Sequence, residues 1–183
     1  QEEFPMTVPI GVTVKGHSIR SVNITPTPAT QSNDAFLLNG EVTIEDITVK
    51  DFYTGYAFKF APNFKVTTRS PYIRNVSVIT RGSVTSAGDP NGFDAGDAGK
   101  GAYLDGAVAL STSNEASCLF HSVTFITPGV DCITMTNGVR VEWLNCFIYF
   151  ANRGLYAFDG ATGLKGAGKT SVRVSGLTGT IVD

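Results

Sequence analysis

The sequence predicts an all-β fold in which short parallel strands stack into a parallel β-helix of about five to six coils. An eight-residue pattern, apolar-x-apolar-x-bend-apolar-x-apolar, returns five times, and a second apolar segment precedes each copy. No stretch with the periodicity of an amphipathic helix separates the copies. Coils stacked on one another therefore fit the pattern better than a hairpin sheet or a strand–helix–strand fold.

The repeated pattern places one bend residue between two short strands. Its copies are Val42–Val49, Pro71–Val78, Cys118–Phe125, Val141–Ile148 and Val172–Gly179, with Asp46, Asn75, Ser122, Asn145 and Gly176 at the bend. Asp, Asn, Ser and Gly best tolerate the left-handed or bridge conformations that such a corner requires. We call these five residues the bend ladder and expect a structural role. Successive bends lie 29, 47, 23 and 31 residues apart, so the shortest step sets the coil and the surplus is loop.

Alternation within these strands predicts which side chains point inward. The inward columns should contain Val42, Ile44, Val141 and Trp143 before the bend, and Ile47, Val49, Cys146 and Ile148 after it. His121 falls in an outward column with Glu45, Arg74, Leu144 and Ser175, which we expect to be solvated. His121 and His17 lie in different predicted coils, and no nucleophile–histidine–acid triad is recognisable.

The preceding segments are predicted strands that usually close on a glycine turn: Ala35–Gly40, Ala102–Gly106, Ile133–Gly138 and Tyr156–Gly160, with Ala57–Asn63 in the remaining slot. Asp105 and Asp159 share a column with Asn39 and Asn137, and turn chemistry explains all four residues. The alternative is catalysis, since glycosidases use paired carboxylates. Asp105, Asp159 and Glu142 are thus the candidate acids of a polysaccharide lyase or hydrolase, although the pattern favours no enzyme.

The composition of the chain argues against some classes of function. The chain has 183 residues and a net charge of −2, with scattered Lys and Arg. This balance predicts neither a nucleic-acid partner nor an anionic membrane surface, and no apolar run is long enough to predict membrane insertion. We interpret residues 1–183 as a single β-helix domain, a fragment of a longer chain, with residues 82–99 as an inserted Gly/Asp-rich loop.

The sequence predicts no metal site and no cofactor. Asp89, Asp94 and Asp97 in the inserted loop are the candidate Ca²⁺ ligands, but their spacing matches no calcium loop. Gly163–Thr170 satisfies the phosphate-loop pattern, yet a β-patterned segment follows where a helix is needed. Cys118, Cys132 and Cys146 are expected to be buried free thiols.

Some outward columns turn apolar toward the C-terminal coils. Polar residues such as Thr43, Glu45, Thr48 and Lys50 give way in the same columns to Leu119, Ile126, Leu144, Phe147 and Tyr149. An apolar stripe on a solvent face is costly unless something covers it. The stripe is either a subunit interface, a sugar-stacking platform centred on Phe147 and Tyr149, or a surface buried under the chain's own loops.

Several segments resemble a known group of proteins. Residues 8–16 and 35–52 look like β-helix regions of bacteriophage tail fibres and tailspikes, and residues 69–78, 133–145 and 150–160 resemble virion structural proteins of contractile-tailed phages infecting marine cyanobacteria. The resemblance covers nearly the whole chain but brings no active-site motif.

The resemblance implies a right-handed, single-stranded, pectate-lyase-like β-helix in a homotrimeric fibre or spike on the virion. The expected function is a rigid scaffold for host-surface attachment, together with other virion proteins. The alternatives are a polysaccharide-degrading tailspike domain and a non-catalytic module that binds host-surface polysaccharide.

Overall fold

The computed structural model describes residues 1–84, 93–94, 97–109, 116–158, 171–175 and 181–182. In this part of the chain the strands are β1 Met6–Val8, β2 Thr13–Lys15, β3 Asn23–Ile24, β4 Phe36–Leu38, β5 Thr43–Glu45, β6 Thr48–Lys50, β7 Tyr56–Phe60, β8 Tyr72–Arg74, β9 Ser77–Ile79, β10 Ser83–Val84, β11 Phe93–Asp94, β12 Lys100–Asp105, β13 Ser117–His121, β14 Thr124–Ile126, β15 Asp131–Thr136, β16 Arg140–Leu144, β17 Phe147–Tyr149, β18 Arg153–Phe158, β19 Ser171–Ser175 and β20 Ile181–Val182. Short 3-10 helices at Pro28–Thr30 and Gly106–Val108 accompany them.

Three parallel sheets contain nearly all of these strands. Sheet 1 has the order β1-β4-β7-β12-β15-β18-β20, sheet 2 the order β2-β5-β8-β13-β16-β19, and sheet 3 the order β3-β6-β9-β14-β17. Each pass of the chain thus supplies one strand to sheet 1, then sheet 2, then sheet 3. The predicted all-β class and the parallel stacking of strands are confirmed. Within the predicted insertion, β10 and β11 pair antiparallel.

The bend ladder separates sheet 2 from sheet 3. Asp46, Asn75, Ser122 and Asn145 have φ angles of 60°, 49°, 54° and 50°, the left-handed region that such residues tolerate best. Asn75 Nδ2 donates to Asp46 Oδ1 at 2.5 Å, which links two passes. Gly176 lies outside the described residues. In the first pass Gly16 takes the equivalent place, since Lys15 is in register with Glu45.

The core lies between the three sheets and is built from the inward columns. In sheet 2, Ile44 is in register with Val14 and Ile73, and Phe120 with Ile73 and Trp143. In sheet 3, Val49, Val78, Phe125 and Ile148 form the corresponding column. Ile44, Val49, Phe120, Phe125 and Trp143 have no exposed surface. Apolar burial on this scale is the dominant stabilising term of such a stack.

Register between passes agrees with the predicted outward columns. His121 lies in register with Arg74 and Leu144, and Arg74 with Glu45. The expectation that this column is solvated is wrong for Glu45, which is only 6% exposed. Two cations from neighbouring passes cover its carboxylate.

The three cysteines are buried and form no disulfide, which confirms that prediction. Burial raises the pKa of each thiol, for Cys132 to about 12 and for Cys146 to about 11. Among the described residues, no helix has the length and apolar character of a membrane span.

Candidate functional site

The outer face of sheet 3 has two side-by-side columns of different chemistry. Its polar column runs Asn23, Thr48, Ser77 and Thr124 and ends at Phe147. Its second column runs Lys50, Ile79, Ile126 and Tyr149. Positions i and i+2 of a strand share a face, so the two columns line one surface, which we call the sheet 3 face.

Aromatic rings gather at the C-terminal end of the sheet 3 face. The rings of Phe147 and Tyr149 stack with centroids 6.4 Å apart and an interplanar angle of 11°. The ring centroid of Phe150 lies 6.3 Å from that of Tyr149. Tyr149 is 41% and Phe150 76% exposed. With Ile126, these residues form an aromatic patch that faces solvent.

Cations gather at the opposite end of the same face. A groove of about 560 Å³ is lined by Arg20, Lys50, Asp51, Ile79 and Arg81, together with Ile19, Asn23, Thr48 and Ser77. Arg81 Nε lies 3.5 Å from Asp51 Oδ1, and Lys50 Nζ lies 3.9 Å from Asp51 Oδ2. Three cations and one carboxylate thus line the groove, in a chain whose net charge is −2. We call this region the cationic groove.

The predicted apolar stripe is divided between two sheets. Ile126, Phe147 and Tyr149 lie on the sheet 3 face, whereas Leu119 and Leu144 lie on β13 and β16 of sheet 2. The bend at Asn145 separates Leu144 from Phe147. The two leucines are half-buried and do not extend the aromatic patch.

The candidate acid Glu142 lines a second cleft, on the outer face of sheet 2. This cleft has a volume of about 410 Å³ and includes Glu41, Arg69, Tyr72 and Arg140. Arg140 donates to Glu142, and Arg69 Nη1 lies 3.4 Å from Glu41 Oε1. Both carboxylates of the cleft are therefore ion-paired with an arginine.

A hydrogen-bonded network borders this cleft. Glu45 accepts from Lys15 at 2.9 Å and from Arg74 at 2.5 Å. These two hydrogen bonds lower the pKa of Glu45 despite its burial. Tyr72 Oη and His121 Nδ1 are 2.7 Å apart. The network joins four passes of sheet 2 and gives His121 the Tyr72 hydroxyl as its hydrogen-bond partner.

Asp105 has a local structural role. Its carboxylate accepts from Ala107 N at 2.8 Å, as the cap of the 3-10 helix Gly106–Val108, and from Asn137 Nδ2 at 2.6 Å. The other candidate acid, Asp159, lies outside the described residues. Gly106 directly follows β12 and begins the three-residue 3-10 helix, and a Cβ at this position would lie 2.1 Å from Asn137 O.

The candidate metal ligands are not assembled by the described residues. Asp89 is outside them, Asp94 lies on β11, and Asp97 O accepts from Thr54 N at 2.7 Å. Among the described residues no group of three or more His, Cys, Asp or Glu side chains could hold a metal ion.

Sequence reasoning missed two parts of the sheet 3 face. Phe150 follows β17 with a positive φ of 64°, where strand alternation no longer predicts side-chain direction. The cationic groove was missed because its three cations come from separate passes. Only the register of the sheets brings them together.

No family model, curated protein or solved structure matches the chain. The class of protein is therefore inferred from the three-sheet architecture and the sheet 3 face. The architecture is that of a repeat protein, in which the strands of each sheet come from successive passes.

Proposed function

We propose that the chain is a rigid structural segment of a bacteriophage tail fibre, tailspike or related virion appendage that supports attachment to a host surface. The observation that carries the proposal is the fixed order of sheet 1, sheet 2 and sheet 3 strands in each pass. Hydrogen bonds within every sheet connect one pass to the next, so they run along the stack. A stack joined in this way resists bending and stretching.

The proposal includes the finer fold, a right-handed, single-stranded, pectate-lyase-like β-helix. Two consecutive strands of one sheet are parallel and joined by a crossover through the other two sheets. Such parallel crossovers are right-handed in about 98% of cases, which supports the right-handed form. The resemblance of residues 69–78 and 133–145 to virion proteins supports the location on the particle.

Homotrimeric assembly, with other virion proteins as neighbours, completes the proposal. Light scattering of the purified 183-residue chain tests it directly. We expect a mass near three times 19.4 kDa. A monomeric mass at all concentrations would contradict the trimer.

Location on the virion needs a separate experiment. Antibodies raised against the chain should label a tail appendage in immunogold micrographs of contractile-tailed cyanophages whose particle proteins include this sequence. Label on the capsid, or none on intact particles, would contradict the proposed location.

A second candidate function, carbohydrate binding, is favoured by the aromatic patch. The exposed ring of Tyr149, stacked on the half-buried ring of Phe147, offers a flat apolar surface of the kind that sugar rings cover. The enzyme alternative has less support, because Asp105 is a helix cap and Glu142 is paired with Arg140. Retention of a polysaccharide without shortening would separate the binding function from the enzymatic one.

A further inference from the structure

We propose that the sheet 3 face binds an acidic oligosaccharide lengthwise, with its carboxylates in the cationic groove and its sugar rings on the aromatic patch. This inference rests on the proposed contact with a host surface and specifies the chemical class of the ligand on that surface. It does not depend on the trimer.

The sheet 3 face is continuous from the cationic groove to the aromatic patch. The column Lys50, Ile79, Ile126 and Tyr149 crosses four neighbouring strands, from the cationic groove to the aromatic patch. With parallel strands about 4.8 Å apart, the column is about 14 Å long. Several sugar rings of an extended chain fit along such a length.

A polar column and an apolar column lie side by side on the sheet 3 face. A pyranose ring has an apolar face and an edge of hydroxyl groups. Ile79 and Ile126 offer an apolar row, and Ser77 and Thr124 in the neighbouring column offer hydroxyls. The surface between the two ends therefore matches the amphipathic character of a sugar.

The cationic groove contains more positive than negative side chains. Arg20 is exposed and has no ion pair among the described residues, while Lys50 and Arg81 both face the carboxylate of Asp51. A shallow groove with more cations than carboxylates attracts anions and can form charge-assisted hydrogen bonds with their oxygens. A neutral glycan would form no ionic contact at this end of the face.

A nucleic acid is the less suitable polyanion. Its backbone charges recur at every nucleotide, whereas the cations occupy only one end of the sheet 3 face and the other end is apolar. An acidic sugar chain, in which charged and neutral units alternate, matches this asymmetry better.

Isothermal titration of the whole chain with a hyaluronan hexasaccharide, in which charged glucuronic acid alternates with neutral N-acetylglucosamine, tests the proposal. We expect binding that weakens in 0.5 M salt, no comparable binding of a neutral maltohexaose, and none of a thymidine hexanucleotide. The double variant Arg20→Ala/Lys50→Ala should weaken hyaluronan binding by about ten-fold, because two charge-assisted contacts are lost. Tyr149→Ala should weaken it by about five-fold through the loss of stacking.

Arg69→Ala is the matched control, since Arg69 is an exposed cation on the sheet 2 cleft. It should bind as the unaltered chain does, and circular dichroism should show that all variants are folded. Absence of hyaluronan binding, equal affinity for maltohexaose, or an unaffected double variant would overturn the proposal. Preferential binding of the hexanucleotide would overturn it in favour of a nucleic-acid surface. None of these results would alter the measured molar mass, so a failure here is distinguishable from failure of the structural function.

Discussion

The indole of Trp143 stacks on the ring of Phe125, with centroids 5.6 Å apart and planes 18° apart. The two residues belong to different passes and to different sheets, sheet 2 and sheet 3. Phe120 approaches the same indole at 5.2 Å. The interiors of the two sheets therefore form one aromatic core, and Trp143 lies at its centre.

Replacement of the Trp143 indole should destabilise the fold. Trp143→Ala should lower the free energy of unfolding by about 3–5 kcal/mol, since a large cavity replaces a fully buried side chain. Urea unfolding followed by circular dichroism measures the change. Trp143→Phe should cost less, because it keeps a ring and removes an indole Nε1 that has no hydrogen-bond partner among the described residues. Equal losses for the two variants would contradict this view of the core.

Ile44→Asp should prevent folding. Ile44 is completely buried between Val14 and Ile73, so the new carboxylate would have neither water nor a cation. Burial of an unpaired charge costs several kcal/mol or more, about as much as a domain's whole stability. Thr43→Asp is the control, because Thr43 points outward. Soluble expression and circular dichroism should distinguish the two, and a folded Ile44→Asp chain would refute the inward column.

Gly16→Ala tests the closeness of the first two passes. A Cβ at Gly16 would lie 2.1 Å from Asp46 O and 2.7 Å from Ile47 Cγ2. The backbone must shift to relieve this contact, and we expect a loss of about 1–3 kcal/mol in thermal or urea unfolding. Gly11→Ala provides a comparison: it has open space but a φ of 77°, so it should lose only about 1 kcal/mol. The same loss at both sites would argue against the close approach.

Glu45 should make the fold sensitive to acid. Lys15 and Arg74 lower the pKa of Glu45 below its ordinary value of 4.5, so the folded chain binds this proton less tightly than the unfolded chain does. The resulting stability is present above pH 4.5 and is lost as the pH falls through the lowered pKa. Glu45→Gln should therefore be less stable at pH 7 and should lose less stability on acidification.

Thermal unfolding at neutral and acidic pH measures this effect. Glu41→Gln is the control, because Glu41 pairs with the 80% exposed side chain of Arg69 and should contribute little. An identical acid response of Glu45→Gln and the unaltered chain would show that the Glu45 network does not contribute.

The thiols should be unreactive in the folded chain. Only the thiolate attacks a disulfide reagent, and burial raises the pKa of Cys132 to about 12 and of Cys146 to about 11. At mildly alkaline pH we expect labelling of fewer than one thiol per native chain by an aromatic disulfide, and of all three after denaturation. Rapid labelling of the native chain would indicate an opening of the core.

The columns could be predicted from the sequence because the rules behind them are local. Strand alternation has a period of two, and a bend residue marks a common reference in every copy, so the amino-acid pattern alone aligns Glu45, Arg74 and His121. The left-handed bend at Asn75 follows from the same local chemistry.

Features that depend on several passes could not be predicted in this way. The burial of Glu45 results from cations 30 and 29 residues away, at Lys15 and Arg74. The cationic groove likewise joins Arg20, Lys50 and Arg81, each from a different pass. No local sequence pattern predicts which long side chains will cover a neighbouring residue, because their positions depend on residues from several passes.

The register of the sheets is independent of connection length. Eleven residues join β12 to β13, whereas three join β15 to β16, yet β13 and β16 pair without a shift. A connection of this kind can gain or lose residues while the strands on either side keep their partners. A foreign peptide grafted between β12 and β13 should therefore leave the pairing of β13 with β16 unchanged.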